Sequence, residues 1–488
     1  MSRIVVTTVG SFGDLHPKIA LAMELRRRGH DITFATHREY REKIERLGFG
    51  FHRIRPDAAA LSDPQEMARM MHRYRGQEYV IRRWLMPSLE ATYEDLRQAA
   101  ANADLIIAGE GVFAARLVAE KLEIPWVCTV LQPLSFLSVH DRFVLPGLPL
   151  PAWLRDSGVK VRKLQLAIIN LATRRWADPV RRLRQKLGLP QLAGNLFIDD
   201  KFSPDLVLGL FSYMFAQPQP DWPPGALATG FPFYDGSDEA TGLAPELSDF
   251  LRAGDAPVVF TLGSSAIMTP GRFFEESVAA ARESGRRAVL LIGNNSPPQG
   301  IGSDCLAVAY APFSQLFPHA CAIVHQGGIG TCGQALRAGR PTLIVPYSLD
   351  QPDNAARAER LGTSLTLPRH RYRARHVAAA LGKLLSDPAY AARALDVGRR
   401  LQSEDGVGVA CDAITDRLAN RSTNRQTRGD APGAQAERRA AADVEALPRT
   451  AQSQPRAEPR RIVPKVTAQL AVTVTVASPQ PRTCQRGR

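Results

Sequence analysis

The alternation of apolar runs in the first forty residues constrains this chain more than any single motif. Residues 4–9 are an unbroken run of apolar residues and Thr that ends at Gly10. Across 17–28, Ile19, Ala22 and Met23 recur at helical spacing, and Gly29 stands where such a helix would stop. Arg26, Arg27 and Arg28 suit the negative end of that helix. A second run, Asp31–Thr36, begins one residue after the stop. Further short β-branched runs at 104–108 and Trp126–Val130 have the character of parallel strands buried on both faces. Strand, helix and strand in this rhythm predict a doubly wound α/β domain.

The rhythm breaks between Gln217 and Gly254, where Pro, Gly and Asp crowd together, and resumes with runs at 257–262, 288–292, 306–309, 322–324 and 342–345. The chain therefore reads as two doubly wound, Rossmann-like α/β domains, 1–225 and 251–419, joined by a linker at 226–250. From 420 to 488 the composition shifts to Arg, Gln, Ala and Pro without periodicity, which predicts a disordered tail. Its one apolar run, 470–476, is too short to span a bilayer.

The net charge of +14 is unevenly distributed. Residues 421–488 hold 13 basic and 5 acidic side chains, so most of the excess lies in the tail. That tail has no aromatic residue on which a base could stack, which argues against a specific nucleic-acid partner. The first residues read as a strand rather than a signal peptide, and no stretch is long and apolar enough to cross a membrane. Six scattered Cys without a C-x-x-C pair suggest free thiols in a reducing cytoplasm. Contact with the inner membrane face and the oligomeric state stay open at this point.

Chemistry concentrates in two strand-to-helix turns. In AIVHQGGIGTCGQALRAGRPTLIVPYSLDQPDN (322–354), a strand ends at His325, Gly327, Gly328 and Gly330 free the backbone of bulk, and Thr331 opens a helix. Unpaired N–H groups at a helix start attract anions, and a diphosphate suits them. The earlier turn, GSFGDLHP (10–17), puts Asp14 and His16 where the first helix begins. An Asp there is commonly a cap, and Asp353 likewise suits a cap of the helix that follows it. No Asp-x-Asp occurs, so the sequence offers no such metal clamp and implies no cofactor.

Together these segments resemble the GT-B type nucleotide-sugar-dependent glycosyltransferases, over residues 1–417, which implies that the two Rossmann-like domains face each other across an interdomain cleft. The likeness is greatest to bacterial members acting on lipids, sterols and polyketide or peptide aglycones, including the rhamnolipid-forming rhamnosyltransferase chain. The resemblance implies that His325, Gly327, Gly328, Gly330 and Thr331 hold the donor diphosphate, with Ser264 and Ser265 helping from the opposite side. It implies that Asp350 and Gln351 bind sugar hydroxyls, and that Tyr310, Ala311 and Gln334 lie near the base and ribose. Asp14 falls where the family places its general base, with His16 the runner-up. Gly333 replaces the ribose-binding Glu of plant members, which leaves UDP and dTDP donors both open.

The implied reaction is metal-independent transfer of a hexosyl group, with inversion, from a nucleotide-diphosphate sugar to a hydroxyl of a lipophilic acceptor. Two segments are candidates to border that acceptor: 67–86, rich in Met, Tyr, Arg and Trp, for its adaptable Met side chains, and the apolar, Pro- and Phe-rich 131–153. His140 and Asp141 could also border it. A nucleotide-sugar epimerase of the same fold and a non-catalytic donor-binding subunit are the alternatives. The first would need acid/base groups acting on the sugar itself, and the intact Asp14, His325, Thr331 and Gln351 argue against the second.

Overall fold

The computed structural model describes residues 1–146, 158–234 and 242–427. The chain divides into a body, Met1–Thr427, and a second unit, Arg428–Arg488, which lies outside the described residues. The predicted disorder of the tail beyond Thr427, its apolar run at 470–476, and parts of the linker (235–241) and of the apolar loop (147–157) also fall outside them.

The body holds two wholly parallel sheets. The first orders its strands β3-β2-β1-β4-β5-β6-β7: β1 Arg3–Thr7, β2 Asp31–Thr36, β3 Gly50–Arg53, β4 Leu105–Gly109, β5 Trp126–Val130, β6 Leu206–Gly209 and β7 Ala226–Ala228. The second orders them β10-β9-β8-β11-β12-β13: β8 Val258–Thr261, β9 Ala288–Leu291, β10 Cys305–Val308, β11 Ala322–His325, β12 Thr342–Ile344 and β13 Ser364–Thr366. Helices cover both faces, so central strands such as β5 and β8 are buried at every residue, as their β-branched content requires. The strand order reverses between β1 and β4 in one sheet and between β8 and β11 in the other. At such points the connections leave toward opposite faces and open a crevice beyond the carboxyl ends of the strands.

Six helices shape the site and its surroundings: α1 Phe12–Arg27, α2 Val159–Thr173, α3 Asp178–Lys186, α4 Ile329–Arg337, α5 Gln351–Arg360 and α6 Gly406–Thr427. α1 begins five residues before the predicted start because Ser11 caps it. The Ser11 hydroxyl accepts the Gly13 N–H, and the Asp14 carboxylate accepts the Ser11 N–H at 2.9 Å. Its buried face is Leu15, Ile19, Ala22 and Leu25, whereas Met23, expected inside, is 39% exposed. α6 runs past Ala419, where composition placed the start of the tail, and it packs on the first sheet rather than the second. Ala410, Cys411, Ile414 and Leu418 share a core with Ile4, Leu21 and Leu25, and Arg28 pairs with Asp412 at 2.6 Å.

The two lobes share an apolar seam. Phe231, Cys332, Leu336, Ile344, Ala355 and Ala358 join one continuous core with Val5, Ile106 and Phe211. Met67, Met70 and Met71, expected to line an acceptor pocket, are each 3% exposed and pack into the second lobe with Val258 and Phe260. They are filler between lobes, a use that suits an unbranched, deformable side chain. The loop expected beside the acceptor is tied down as well: Phe136 stacks on Trp222 at 4.0 Å, and Asp221 accepts the Val139 N–H.

A buried ionic cluster crosses the seam. Arg357 on α5, 3% exposed, donates through Nε to Asp353 at 2.7 Å and through Nη2 to Asp141 of the first lobe at 2.5 Å. Asp353 also accepts the Val144 N–H at 2.8 Å. Asp353 therefore does not cap α5, and Asp141 is not a surface group beside an acceptor. Both carboxylates neutralise one guanidinium between the lobes. Replacing Arg357 with Met would leave two carboxylates facing each other in a desolvated gap, so it should cost about 3–5 kcal/mol in urea unfolding. A cost near zero would show that the cluster does not hold the lobes together.

Candidate active site

Sheet topology alone brings four segments to the crevice: the turns after β1 and β4 in the first lobe, and those after β8 and β11 in the second. Three carry residues singled out in the sequence. The turn after β4, with Glu110, was not singled out.

Asp14 sits in the first turn of α1. Gly10, at φ +123°, is required beneath it, because a Cβ there would lie 2.3 Å from Asp14 Oδ2. His37, on the turn after β2, accepts the Gly10 N–H through Nε2 at 2.9 Å, and the Tyr40 hydroxyl donates to the Gly10 carbonyl at 2.8 Å. These bonds fix the turn from outside. Burial pushes the Asp14 carboxyl above the usual carboxylate range, while Lys18 and the Ser11 N–H pull it back. Lys18 is a residue the sequence did not single out. It lies one turn after Asp14, is 1% exposed, and its Nζ is 3.4 Å from where a side chain at Gly109 would begin. Burial lowers its ammonium pKa, and Asp14 and Glu110 both oppose that shift. The only signal in the sequence was the four-residue step from Asp14.

His16 lies two residues on, so its side chain is turned roughly 200° around the helix from Asp14. Its ring packs 5.2 Å from Phe12 and 5.1 Å from Tyr234. Burial, with Lys43 nearby, lowers its pKa to about 3, so the imidazole is neutral at pH 7. The structure thus places the two candidate bases on different faces of α1.

In the second lobe, His325 ends β11 and is fully buried beneath the turn. Burial lowers its pKa to about 3. Its Nδ1 accepts the Gly327 N–H at 3.1 Å, which leaves the single proton of the neutral ring on Nε2. Nε2 is buried without a hydrogen-bond partner among the described residues. Gly327 takes φ +89°, and a Cβ there would strike Ile344 at 2.8 Å. Gly328 caps α4 without a side-chain bond, and the first intrahelical bond is Cys332 N–H to Gly328 O at 2.9 Å. The amides of Ile329, Gly330 and Thr331 precede that bond, and the space beside Gly330 is open. A buried donor and a helix start free of side-chain capping together suit an anion. Thr331 is 6% exposed on the same turn.

The loop after β12 supplies the next group. Gln351 Oε1 accepts the Tyr347 and Ser348 N–H groups at 2.8 and 3.1 Å, so its carbonyl end organises the loop. Asp350 accepts from Asn354 Nδ2 at 2.5 Å, and the same nitrogen donates to the Gly327 carbonyl at 2.9 Å. Asn354, also missed in the sequence, thereby couples the carboxylate to the glycine turn. Tyr310 is 60% exposed after β10, while Ala311 is sealed in the core with Leu316, Phe317 and Ala335. Gln334 lies buried on α4, and a side chain at Gly333 would meet the Phe231 ring at 3.1–3.3 Å. A larger residue at 333, such as the Glu of plant members, would need that ring to shift by a few tenths of an ångström.

The lobes meet at these turns. Ser264, in the helical turn Gly263–Ala266 after β8, donates to the Ser11 hydroxyl at 3.2 Å, and Ser265 is half-buried beside it. The Asp14 charge is felt at Asp350. Nearby, a cavity of about 160 Å³ lies between Arg73, Tyr74, Gln77, Glu78 and Trp176 of the first lobe and Ser348 and Leu349 of the second.

Burial, opposed by the Asn354 bond and reinforced by the Asp14 and Asp353 charges, raises the Asp350 carboxyl to about 7. The folded chain keeps a proton there that the unfolded chain has already lost, so the stability it contributes is full below pH 3.8 and is lost as pH rises through about 7. Asp350→Asn should therefore make the melting temperature of the nucleotide-free protein less sensitive to pH between about 5 and 8. Identical pH profiles for the two proteins would show that Asp350 is ionised throughout.

Residues 4–139 match the glycosyltransferase family 28 N-terminal domain, and residues 293–406 match the C-terminal domain of erythromycin biosynthesis protein CIII-like proteins. Over 439 residues the chain is 30% identical to O-mycaminosyltylonolide 6-deoxyallosyltransferase of Streptomyces fradiae, covering 86% of this chain and 99% of that protein. It is 28% identical to sterol 3-beta-glucosyltransferase of Neurospora crassa over 84% of this chain, but spans only 27% of that longer protein. Among solved structures, the kitacinnamycin glycotransferase superposes with a TM-score of 0.65 at 21% identity, covering 86% of this chain and 99% of that one. The glycosyltransferase VinC, solved with dTDP, superposes at 0.58 and 21% identity, covering 86% and 100%. Two parallel sheets, their facing switch points and these relatives agree: the chain is a glycosyltransferase of the GT-B family.

Proposed function

We propose that the chain transfers a hexosyl group from a nucleotide-diphosphate sugar, of the UDP-glucose or dTDP-rhamnose class, to a hydroxyl of a lipophilic acceptor such as a lipid, sterol or secondary-metabolite aglycone. The observation that carries this reading is the meeting of the two switch points. The Ser11–Ser264 contact of 3.2 Å sets the Asp14 turn against the second-lobe turns, with the anion-ready start of α4 on the β8–β11 side of the same crevice.

In this reading the diphosphate lies over Gly327, Gly328, Gly330 and Thr331, and the Nε2–H of His325 donates to it. Ser264 and Ser265 approach from the β8 side. Negative charge grows on the diphosphate as it leaves, and fixed amide dipoles and a neutral donor meet that charge without reorganising. The proposal requires no metal ion, because the positive end of α4 does this work. Asp350 and the Nε2 amide of Gln351 are the groups available for sugar hydroxyls, while Tyr310 offers an exposed ring for the base. Asp14 takes the acceptor proton as its oxygen attacks opposite the departing diphosphate, which inverts the anomeric centre. Lys18 and the Ser11 N–H favour its ionised form, as a general base at neutral pH requires. His16, on another face of α1, is less well placed. The sterol named for one relative is an acceptor of the lipophilic class proposed.

Thermal-shift screening against UDP-, dTDP- and GDP-sugars, followed by mass spectrometry with hydroxylated lipids, identifies the pair. With that pair, Asp14→Asn should lower turnover about 10²–10⁴-fold and leave donor affinity nearly unchanged, since the amide oxygen can still accept the Ser11 N–H. Equal loss of donor affinity by calorimetry would make Asp14 a structural cap alone. His325→Ala should weaken binding of the nucleoside diphosphate at least tenfold more than that of the free nucleoside, because one donor to the diphosphate is lost. A uniform loss for both ligands would place the phosphates elsewhere.

A further inference from the structure

The excess positive charge of residues 1–420 lies in one stretch of the sequence. Between residues 159 and 186 there are nine basic side chains and one acidic, whereas the rest of residues 1–420 is close to balanced. Arg162 and Arg184 are buried, and Arg181, Arg184 and Lys186 pair with Asp178, Glu120 and Glu90, so the charge this stretch shows to solvent centres on α2 and the residues just after it. This stretch holds α2 and α3, and α2 presents an unusual face. Leu164 is 61% exposed, Ile168 59% and Leu171 81%. Their spacing of four and three residues aligns them in one stripe along the helix. Single exposed apolar residues are ordinary on a soluble protein, but three bulky ones in register on one helix are not. Exposed Lys160 and Lys163 flank the start of the stripe, and exposed Arg174 and Arg175 follow its end.

We infer that this face of α2 docks on the anionic surface of a phospholipid bilayer. The apolar stripe would enter the boundary between headgroups and acyl chains, with the flanking Lys and Arg on lipid phosphates. The charge selects this occupant over a second copy of the chain, because a symmetric contact through α2 would set two strongly basic segments against each other. Such docking is peripheral: no helix among the described residues is long and apolar enough to cross a membrane. The position also suits the proposed transfer, and only this link to acceptor supply rests on that reading. Trp176, just past the end of α2, lines the cavity between the lobes, so docking through α2 brings that cavity close to a source of lipophilic acceptor.

The test is co-sedimentation of the full-length protein with phosphatidylcholine vesicles and with vesicles of mixed phosphatidylcholine and phosphatidylglycerol, at low and high salt. The comparison is the triple variant Leu164→Gln, Ile168→Gln, Leu171→Gln, which keeps every charge, including those of the basic tail. Wild type should partition onto the mixed vesicles and not the neutral ones, and the variant should lose at least tenfold in partition while keeping its melting temperature and its affinity for nucleoside diphosphate. Equal partition of the two proteins would overturn the inference and assign binding to the tail. Failure of wild type to bind mixed vesicles would also overturn it, as would a wild-type dimer by analytical ultracentrifugation that the variant abolishes. Vesicle binding involves no transfer chemistry, so an inactive protein that still docks would refute the proposed reaction and leave this inference standing.

Discussion

The site depends on holding two sheets with their strand-order reversals face to face. Each reversal by itself is only a crevice at the edge of a lobe. The seam of Phe231, Cys332, Leu336, Ile344, Ala355 and Ala358 against the first-lobe core removes water from the gap, and Arg357 bridging Asp353 and Asp141 fixes the approach. An apolar seam alone is non-directional and would tolerate sliding. A buried guanidinium held by one carboxylate from each lobe does not, because any slip leaves charge unpaired in a medium of low dielectric.

Burial has opposite uses on the two sides of the cleft. In the second lobe it keeps His325 neutral, so that the ring is a directed donor rather than a cation. Around Asp14 it raises the cost of the charged form, and Lys18 offsets part of that cost from within the same helix. The first lobe thus holds a carboxyl whose pKa burial raises and Lys18 lowers, and the second presents dipoles of fixed sign. Both properties follow from side chains packed beneath the crevice as much as from those that line it.

Strand identity was legible wherever β-branched residues run together: Asp31–Thr36 and Trp126–Val130 match their strands to the residue. β3, β7 and β13, all edge strands, were missed because they are only partly buried and hold no run of β-branched residues; β6 was missed with them because Val207 is its one β-branched residue. The turn chemistry was legible because glycines, a strand-terminal His and an Asp at a helix start are unusual in combination. Lys18, Asn354 and Arg357 were not, since a lone polar residue on a helix reads as solvent-facing. Each nevertheless stands four residues after an acidic partner already noted, Asp14, Asp350 and Asp353. The step of one helical turn from a chemically interesting carboxylate was the available signal.

The final helix has a consequence for how the molecule is made. The Cys411 thiol donates to the Leu21 carbonyl across 390 residues of chain, and Ile414 and Leu418 complete the apolar face formed by Ile4, Leu21 and Leu25. During synthesis that face waits, uncovered, until almost the whole body has left the ribosome. The amino-terminal half therefore carries an exposed apolar patch while it is nascent, the stage at which aggregation, or shelter by a chaperone, bears on the yield of native protein.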